Sequence, residues 1–303
     1  MSIFERHFCK YLQKPVVFSL KNATLSLMSR QEHKNLKNLI EAVPTGFLVD
    51  STWLESQGIG RRSAYAYVQR GWLERLERGV FRRPASGAPA TNAIDWKICL
   101  LSLQNIMHYP AHIGGMTALS LQGYSHYLPL GEKNNIWIYG SKIPSWLEKL
   151  PLNAELRTRS VSLFSNPELG IDDRRHDHDK TASSLPWDWT LVMSSPERAI
   201  LEALDELPDQ ESFHNLDMAF ESLTTLRPRI LSDLLSCCKK IKVKRLFFVF
   251  ADRHDHAWRK RLNPNDFNLG SGDRALIKGG TIHPRYRIVV PEEYVRKEQR
   301  DGA

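Results

Sequence analysis

The sequence predicts an α+β fold, and three observations carry that prediction. Residues 44–84 alternate short helical and extended patterns around glycines: PTGFLVDSTWLESQGIGRRSAYAYVQRGWLERLERGVFRRP. Residues 92–303 mix helix-like and strand-like stretches without the regular βαβ rhythm of a parallel sheet. Between the two, PASGAPAT from Pro84 to Thr91 is small, Pro-rich and uncharged, which marks a linker over 85–91.

The chain opens on a basic leader, residues 1–30. Its apolar patch, Val16 to Leu20, is too short for a signal-peptide core, and no small-residue cleavage site follows it. Residues 1–27 read as an upstream extension from a misassigned start, since Met28 runs straight into a credible helix. The alternative is a basic arm that touches DNA. That helix, 31–43, places Leu36, Leu39, Ile40 and Val43 on one apolar stripe.

Residues 31–84 form the first domain. Phe47-Leu48-Val49 is a short strand closing at Asp50-Ser51, and Ser51 suits an N-cap. A helix over Thr52–Gln57 follows. Gly58-Ile59-Gly60 makes a tight corner with an apolar plug at Ile59. A second helix spans about Arg61–Arg70 and stops at Gly71, a natural residue to follow a helix end. Trp72–Leu76 and Val80–Arg83 then pair as a hairpin across Glu77-Arg78-Gly79. Helix, glycine turn, helix and hairpin predict a winged helix-turn-helix that reads DNA.

The second helix is sided accordingly. Ala64, Val68 and Tyr67 are spaced to face inward; Arg62, Tyr65, Ala66 and Gln69 share the outward face. Arg pairs bidentately with guanine and Gln with adenine, while Tyr contacts phosphate or a thymine methyl. Residues 57–84 carry seven Arg against two Glu, where a phosphate footprint needs them. The DNA-contact candidates are therefore Arg61, Arg62, Ser63, Tyr65, Gln69 and Arg70 on the helix, and Arg78, Arg82 and Arg83 at the hairpin. The structural alternative is a solvated basic face on a protein-binding module.

The second domain, 92–303, predicts helices over Asp95–Met107 and Thr117–Gly123, the latter capped by Thr117. Strands follow at Asn135–Tyr139, Glu155–Leu163 and Thr190–Met193, with a polar loop at 166–185. Ser194 and Glu197 have capping-box spacing for a helix that runs to Leu207. Helices 212–223 and 227–238 come next, then a buried strand, Lys244–Ala251 (KRLFFVFA), and a last strand, Arg287–Val290.

Candidate chemistry in this domain is thin. His176-Asp177-His178-Asp179 alternates metal-ligand types, but three cations flank it and the segment is loop-like. Asp252-Arg253-His254-Asp255-His256 stands at the end of the expected buried strand. No nuclease Glu-x-Lys, phosphate loop or nucleophile elbow accompanies either. Cys9, Cys99, Cys237 and Cys238 lack zinc spacing and read as reduced thiols of a cytoplasmic protein. The residues thus call for no catalytic group, no metal and no cofactor. Lys239, Lys240, Lys242, Lys244 and Arg245 form a basic run that reads either as a second nucleic-acid or acidic-protein surface, or as a helix end. A net charge of +8 over 303 residues makes double-stranded DNA the first partner to consider. No run approaches the ~18 apolar residues of a membrane span.

Three strings, in order, resemble the AbiEi antitoxin family. Gly114 to Leu128, GGMTALSLQGYSHYL, is similar to its GGxTALxLxGxxHYL segment. Ser194 to Glu202, SSPERAILE, is similar to SSPERAxLE. Asn268 to Arg274 with Lys278-Gly279-Gly280 is similar to its LGSGxR…KGG tail. The resemblance spans about 31–295. It implies a transcriptional autorepressor that binds inverted repeats in its own promoter. It also implies an antitoxin of a type IV pair, opposing a nucleotidyltransferase-like toxin, AbiEii, without a stable complex. Two readings compete with it: a winged-helix transcription factor whose second domain senses a ligand, and a DNA-targeted metal-dependent enzyme.

Overall fold

The computed structural model describes residues 30–85, 93–124, 135–172 and 189–295. The leader up to residue 29, linker residues 86–91 with Asn92, the SHYL end of the first string, and the His176–Asp179 run lie outside the described residues.

Helix α1 (Arg30–Ala42) buries Leu36 and Leu39 against the elements that follow. Strand β1 (Leu48–Asp50) leads into α2 (Ser51–Ser56) and α3 (Arg61–Gln69). Strands β2 (Glu74–Glu77) and β3 (Val80–Arg82) form a hairpin. β1 adds antiparallel to β3, giving the order β1-β3-β2.

Helix α4 (Trp96–Leu101) continues as a π-helical turn, Ser102–Ile106, into β4 (Ala111–Ile113) and α5 (Gly115–Leu121). β5 (Asn135–Gly140), β6 (Glu155–Arg159), β7 (Ile171–Asp172) and β8 (Met193–Ser194) complete a mixed sheet ordered β6-β5-β4-β8-β7. Four helices follow: α6 (Pro196–Asp205), α7 (Phe213–Ser222), α8 (Pro228–Cys237) and α9 (Ile241–His254). A two-stranded ribbon, β9 (Thr281–Ile282) and β10 (Val289–Val290), lies near the end. The chain is a mixed α+β protein. No helix among the described residues is long and apolar enough to cross a membrane.

Several sequence expectations change. KRLFFVFA is helix α9, not a strand. Val243 to Ala251 are all buried there, so no polar face marks the helical period. Thr117 does not cap α5, which starts at Gly115. Its hydroxyl instead donates to Asn135 O and accepts from Trp137 N–H, stitching α5 to β5. Ser194 and Glu197 form no capping box. Ser195 is the N-cap of α6, and Glu197 pairs with Arg227. The extended run expected to Leu163 stops at Arg159.

The two parts share a core rather than meeting only through a linker. Leu48 and Val80 belong to the large apolar cluster of residues 94–294. Ile106 in turn packs into the cluster built on α1, α2 and α3. The Leu48 N–H donates to the fully buried Ser102 Oγ at 3.0 Å, and Phe47 meets Trp189 edge-on at 5.1 Å.

At the centre, α6 is buried from Glu197 to Leu204. Glu202 on it gathers four donors. Its Oε1 accepts from Arg198 Nε at 2.7 Å and His112 Nε2 at 3.2 Å; its Oε2 accepts from Ser194 Oγ at 2.7 Å and Gly115 N–H at 3.1 Å. Gly114 has no room for a side chain: a Cβ there would stand 2.2 Å from Glu202 Oε2 and 2.5 Å from the Tyr139 ring. Burial pushes the Glu202 carboxyl up, but contacts with His112 and Arg198 outweigh it and hold it below its ordinary value. A lowered carboxylate contributes stability above the unfolded value, about 4.3, and loses it as pH falls through the folded one. Glu202→Gln strands the buried Arg198 and is expected to cost about 3–5 kcal/mol at neutral pH. Its stability should also fall less steeply in acid than that of the native protein. Urea titrations from neutral to acid pH check this; a variant within about 1 kcal/mol of native would remove Glu202 as the keystone.

Candidate nucleic-acid interface

The pairing of α2 and α3 is set by Asp50. As the last residue of β1 it is extended, and its Oδ1 accepts from Trp53 N–H at 2.8 Å, which makes it the N-cap of α2. Ser51, expected in that role, serves the hairpin instead. Its N–H donates to Gly79 O at 2.8 Å, and its Oγ to the same oxygen at 3.3 Å. Gly58 turns with φ +75°, and Ile59 plugs the corner in full burial, as expected. Gly71, at φ +74°, follows the end of α3.

On α3, Ala64 and Tyr67 face inward, and the Tyr67 hydroxyl donates to Glu32 O at 3.2 Å. Val68 is only half-buried. Arg61, Arg62, Gln69 and Arg70 are exposed, Ser63 and Ala66 half-buried, and Tyr65 is 67% exposed. Beside this face lies a groove of about 720 Å³. Arg61, Tyr65 and Gln69 form one wall, and Arg75 and Arg78 of the hairpin a second. The third wall is Ser145, Trp146 and Lys149, which no reading of residues 44–84 could supply.

The hairpin arginines differ. Arg78 is exposed, and its guanidinium has no partner among the described residues. Arg82 donates twice to Glu74 Oε2, at 2.7 and 3.1 Å. Arg83 donates to Ile40 O and Val43 O, both at 2.7 Å, closing the end of α1. Arg83 is therefore committed inside the fold.

The expected second basic surface is largely engaged by the fold, although Lys239 and Lys240 stay exposed. Lys240 pairs with Asp205 at 2.7 Å, and Lys242 Nζ donates to Asp205 O and Leu207 O at the end of α6. Lys244 and Arg245 are buried on α9, and Arg245 donates to Leu269 O, Gly272 O and Arg287 O. Only Lys239 of the five is left exposed without a side-chain partner among the described residues. A sequence shows the charges in this run, not the carbonyls that receive them.

Asp252 to His256 do not converge on one point. Asp252 takes Arg259, Arg285 and Tyr286; His254 pairs with Asp217 at 2.7 Å; and His256 donates to Phe220 O at 2.8 Å.

Comparison with known proteins brings the two parts together. Residues 32–130 match the family model described as the transcriptional regulator AbiEi antitoxin N-terminal domain. Residues 133–291 match that of the transcriptional regulator AbiEi antitoxin of type IV toxin–antitoxin systems. No curated protein matches the chain. Among solved structures, the RV2827C protein from Mycobacterium tuberculosis is similar in fold. Its TM-score is 0.50 at 17% identity, over 86% of this chain and 92% of that one.

The hairpin's seat on α2 is testable. Gly79 has φ +77°, and a Cβ there would lie 2.8 Å from Ser51 Oγ. Gly79→Ala is expected to destabilise by about 1–3 kcal/mol. Adding Ser51→Ala should recover part of that loss, because the contact goes while the backbone strain stays. Thermal melts of the four proteins in the cycle measure both terms; strict additivity would place the whole cost in the backbone.

Proposed function

The chain belongs to the AbiEi family, the transcriptional regulators that serve as antitoxins of type IV toxin–antitoxin systems, and from that premise we propose an autorepressor with a divided task. Residues 31–84 act as a winged helix-turn-helix, with α3 as the reading helix in the major groove and the hairpin as the wing. The bound DNA is double-stranded and lies in the protein's own promoter, at inverted repeats. Residues 92–303 oppose a nucleotidyltransferase-like toxin without forming a stable complex with it. The protein acts in the cytoplasm and is not an enzyme.

One observation carries the DNA reading. Arg61, Arg62, Tyr65 and Gln69 stand exposed on α3, with Arg78 exposed across the groove, and no partner among the described residues occupies the four cationic and amide ends. Side chains left free of the fold on one surface keep their donors for a ligand. An α-helix fits the roughly 12 Å wide major groove, and Arg and Gln are the residues that read purine edges there. Of the expected second surface, by contrast, Lys240, Lys242 and Arg245 are engaged within the fold.

Gel shifts on the gene's own upstream region test the reading. Arg62→Ala or Gln69→Ala is expected to weaken specific binding by about 1–3 kcal/mol, with a smaller fall on unrelated DNA. Arg78→Ala should flatten the slope of log K against log salt by about 0.9, on any sequence. Arg83→Ala should not change that slope, since its guanidinium is engaged. Native affinity in the Arg61/Arg62/Gln69 triple alanine variant would remove α3 as the reader. The toxin arm has its own readout: colony formation with the neighbouring toxin induced, beside a promoter–reporter assay.

A further inference from the structure

The groove beside α3 is not built by residues 44–84 alone. Its third wall, Ser145, Trp146 and Lys149, comes from the other part of the chain. Lys149 is exposed, and its ammonium has no partner among the described residues. It closes the 3₁₀ turn Leu147–Lys149, whose last N–H donates to Trp146 O at 3.0 Å. Leu147 between them is fully buried. The position of Trp146 therefore sets that of Lys149.

Trp146 is in turn held by Asp50. The Asp50 carboxylate is buried and divided. Oδ1 caps α2, while Oδ2 accepts the Tyr109 hydroxyl at 2.6 Å and Trp146 Nε1 at 3.3 Å. One oxygen thus belongs to the helix pair and the other to the body of the protein. Ser51, Trp146 and Lys149 line the groove, and the buried Asp50 carboxylate holds Trp146 from behind it.

We propose that Asp50 is a positioning residue for DNA binding. Its split carboxylate locks α2, and with it α3, onto the Tyr109–Trp146 pair, so that Arg61, Arg78 and Lys149 meet the duplex as one prebuilt set of cations. This rests on the reading of the groove as a DNA face, and adds to it a phosphate contact from beyond the linker and the group that keeps that contact in register. Duplex phosphates sit at fixed spacing, so cations on two loosely joined parts lose freedom when they bind together. A buried three-way carboxylate removes that freedom beforehand.

A merely structural cap is separable from a clamp. Trp146→Phe and Tyr109→Phe each remove one donor to Oδ2 and leave Oδ1 on α2. The experiment measures the salt dependence of full-length protein on a random-sequence DNA duplex by fluorescence anisotropy. In the native background, Lys149→Ala is expected to lower the slope of log K against log salt by about 0.9. In the Tyr109→Phe/Trp146→Phe background the slope should already be lower, and Lys149→Ala should then change nothing. Tyr109→Phe alone, which removes a single hydroxyl, should show a partial loss of the Lys149 effect. An equal Lys149 effect in every background, or none in any, overturns the clamp. Arg78→Ala tells the two failures apart. If it flattens the slope while the clamp variants and Lys149→Ala do not, the DNA face stands and the clamp falls. If Arg78→Ala is silent too, both fall.

Discussion

The Glu202 carboxylate is the constraint on which the larger part of the fold is arranged. Four donors reach it from β4, α5, β8 and its own helix. Such a group tolerates no partial solution, because an unpaired charge at that depth would cost several kcal/mol. Arg198, the partner on the same helix, is saturated as well: it donates to Pro167 O and Leu169 O and lies 4.7 Å over the Phe164 ring. Two of the three strings that resemble the antitoxin family meet here. GGMTAL supplies the Gly115 N–H and the space at Gly114, and SSPERAILE supplies Ser194, Arg198 and Glu202. Their residues are scaffold, and what they hold up is the junction of sheet and central helix.

A second pattern follows from the same chemistry. Arg83 closes α1, Arg198 the loop at 167–169, and Arg245 the loops at 269–272 and 287. Arg259 reaches Leu262 O beneath the Phe248 ring. Each guanidinium satisfies carbonyls that no regular ladder would reach, and its planar fork can serve several at once. A good share of the chain's cations thus works inside the protein. These guanidiniums keep their charge, but their donors are occupied by the fold, unlike those of the exposed cations of α3 and Arg78.

The short elements of residues 44–83 were legible in the sequence because glycines punctuate them and each has one apolar side. Helix α9 was not: burial on all faces erases the 3.6 period, and a continuous apolar run is then equally good strand or helix. The capping assignments failed for a related reason. Ser51, Thr117 and Ser194 have the right type and spacing for local caps, yet each hydroxyl is taken by a partner distant in sequence or on another turn. The groove was half legible. Arg61, Tyr65, Gln69 and Arg78 follow from the pattern, whereas Lys149 has no local signal, since only the tertiary path of the chain brings it beside α3. The split carboxylate at Asp50 was hidden in the same way, behind a neighbouring serine that suits a cap equally well.

The bond from Asp50 to Trp146 spans 96 residues of chain. At about 5–20 residues per second, a ribosome that has completed the helix pair needs roughly 4–15 s more to deliver its anchor. For that interval the Asp50 carboxylate can reach the backbone it caps but not the indole that completes its set of donors. Leu48 and Val80 also await the cluster that buries them, whose other residues run from Ile94 to Tyr294. The apolar residues of the N-terminal part that face the seam therefore have no lasting cover until the later segments are made. That surface is open to chaperones, or to a second nascent copy from the same message, before it is open to the rest of its own chain.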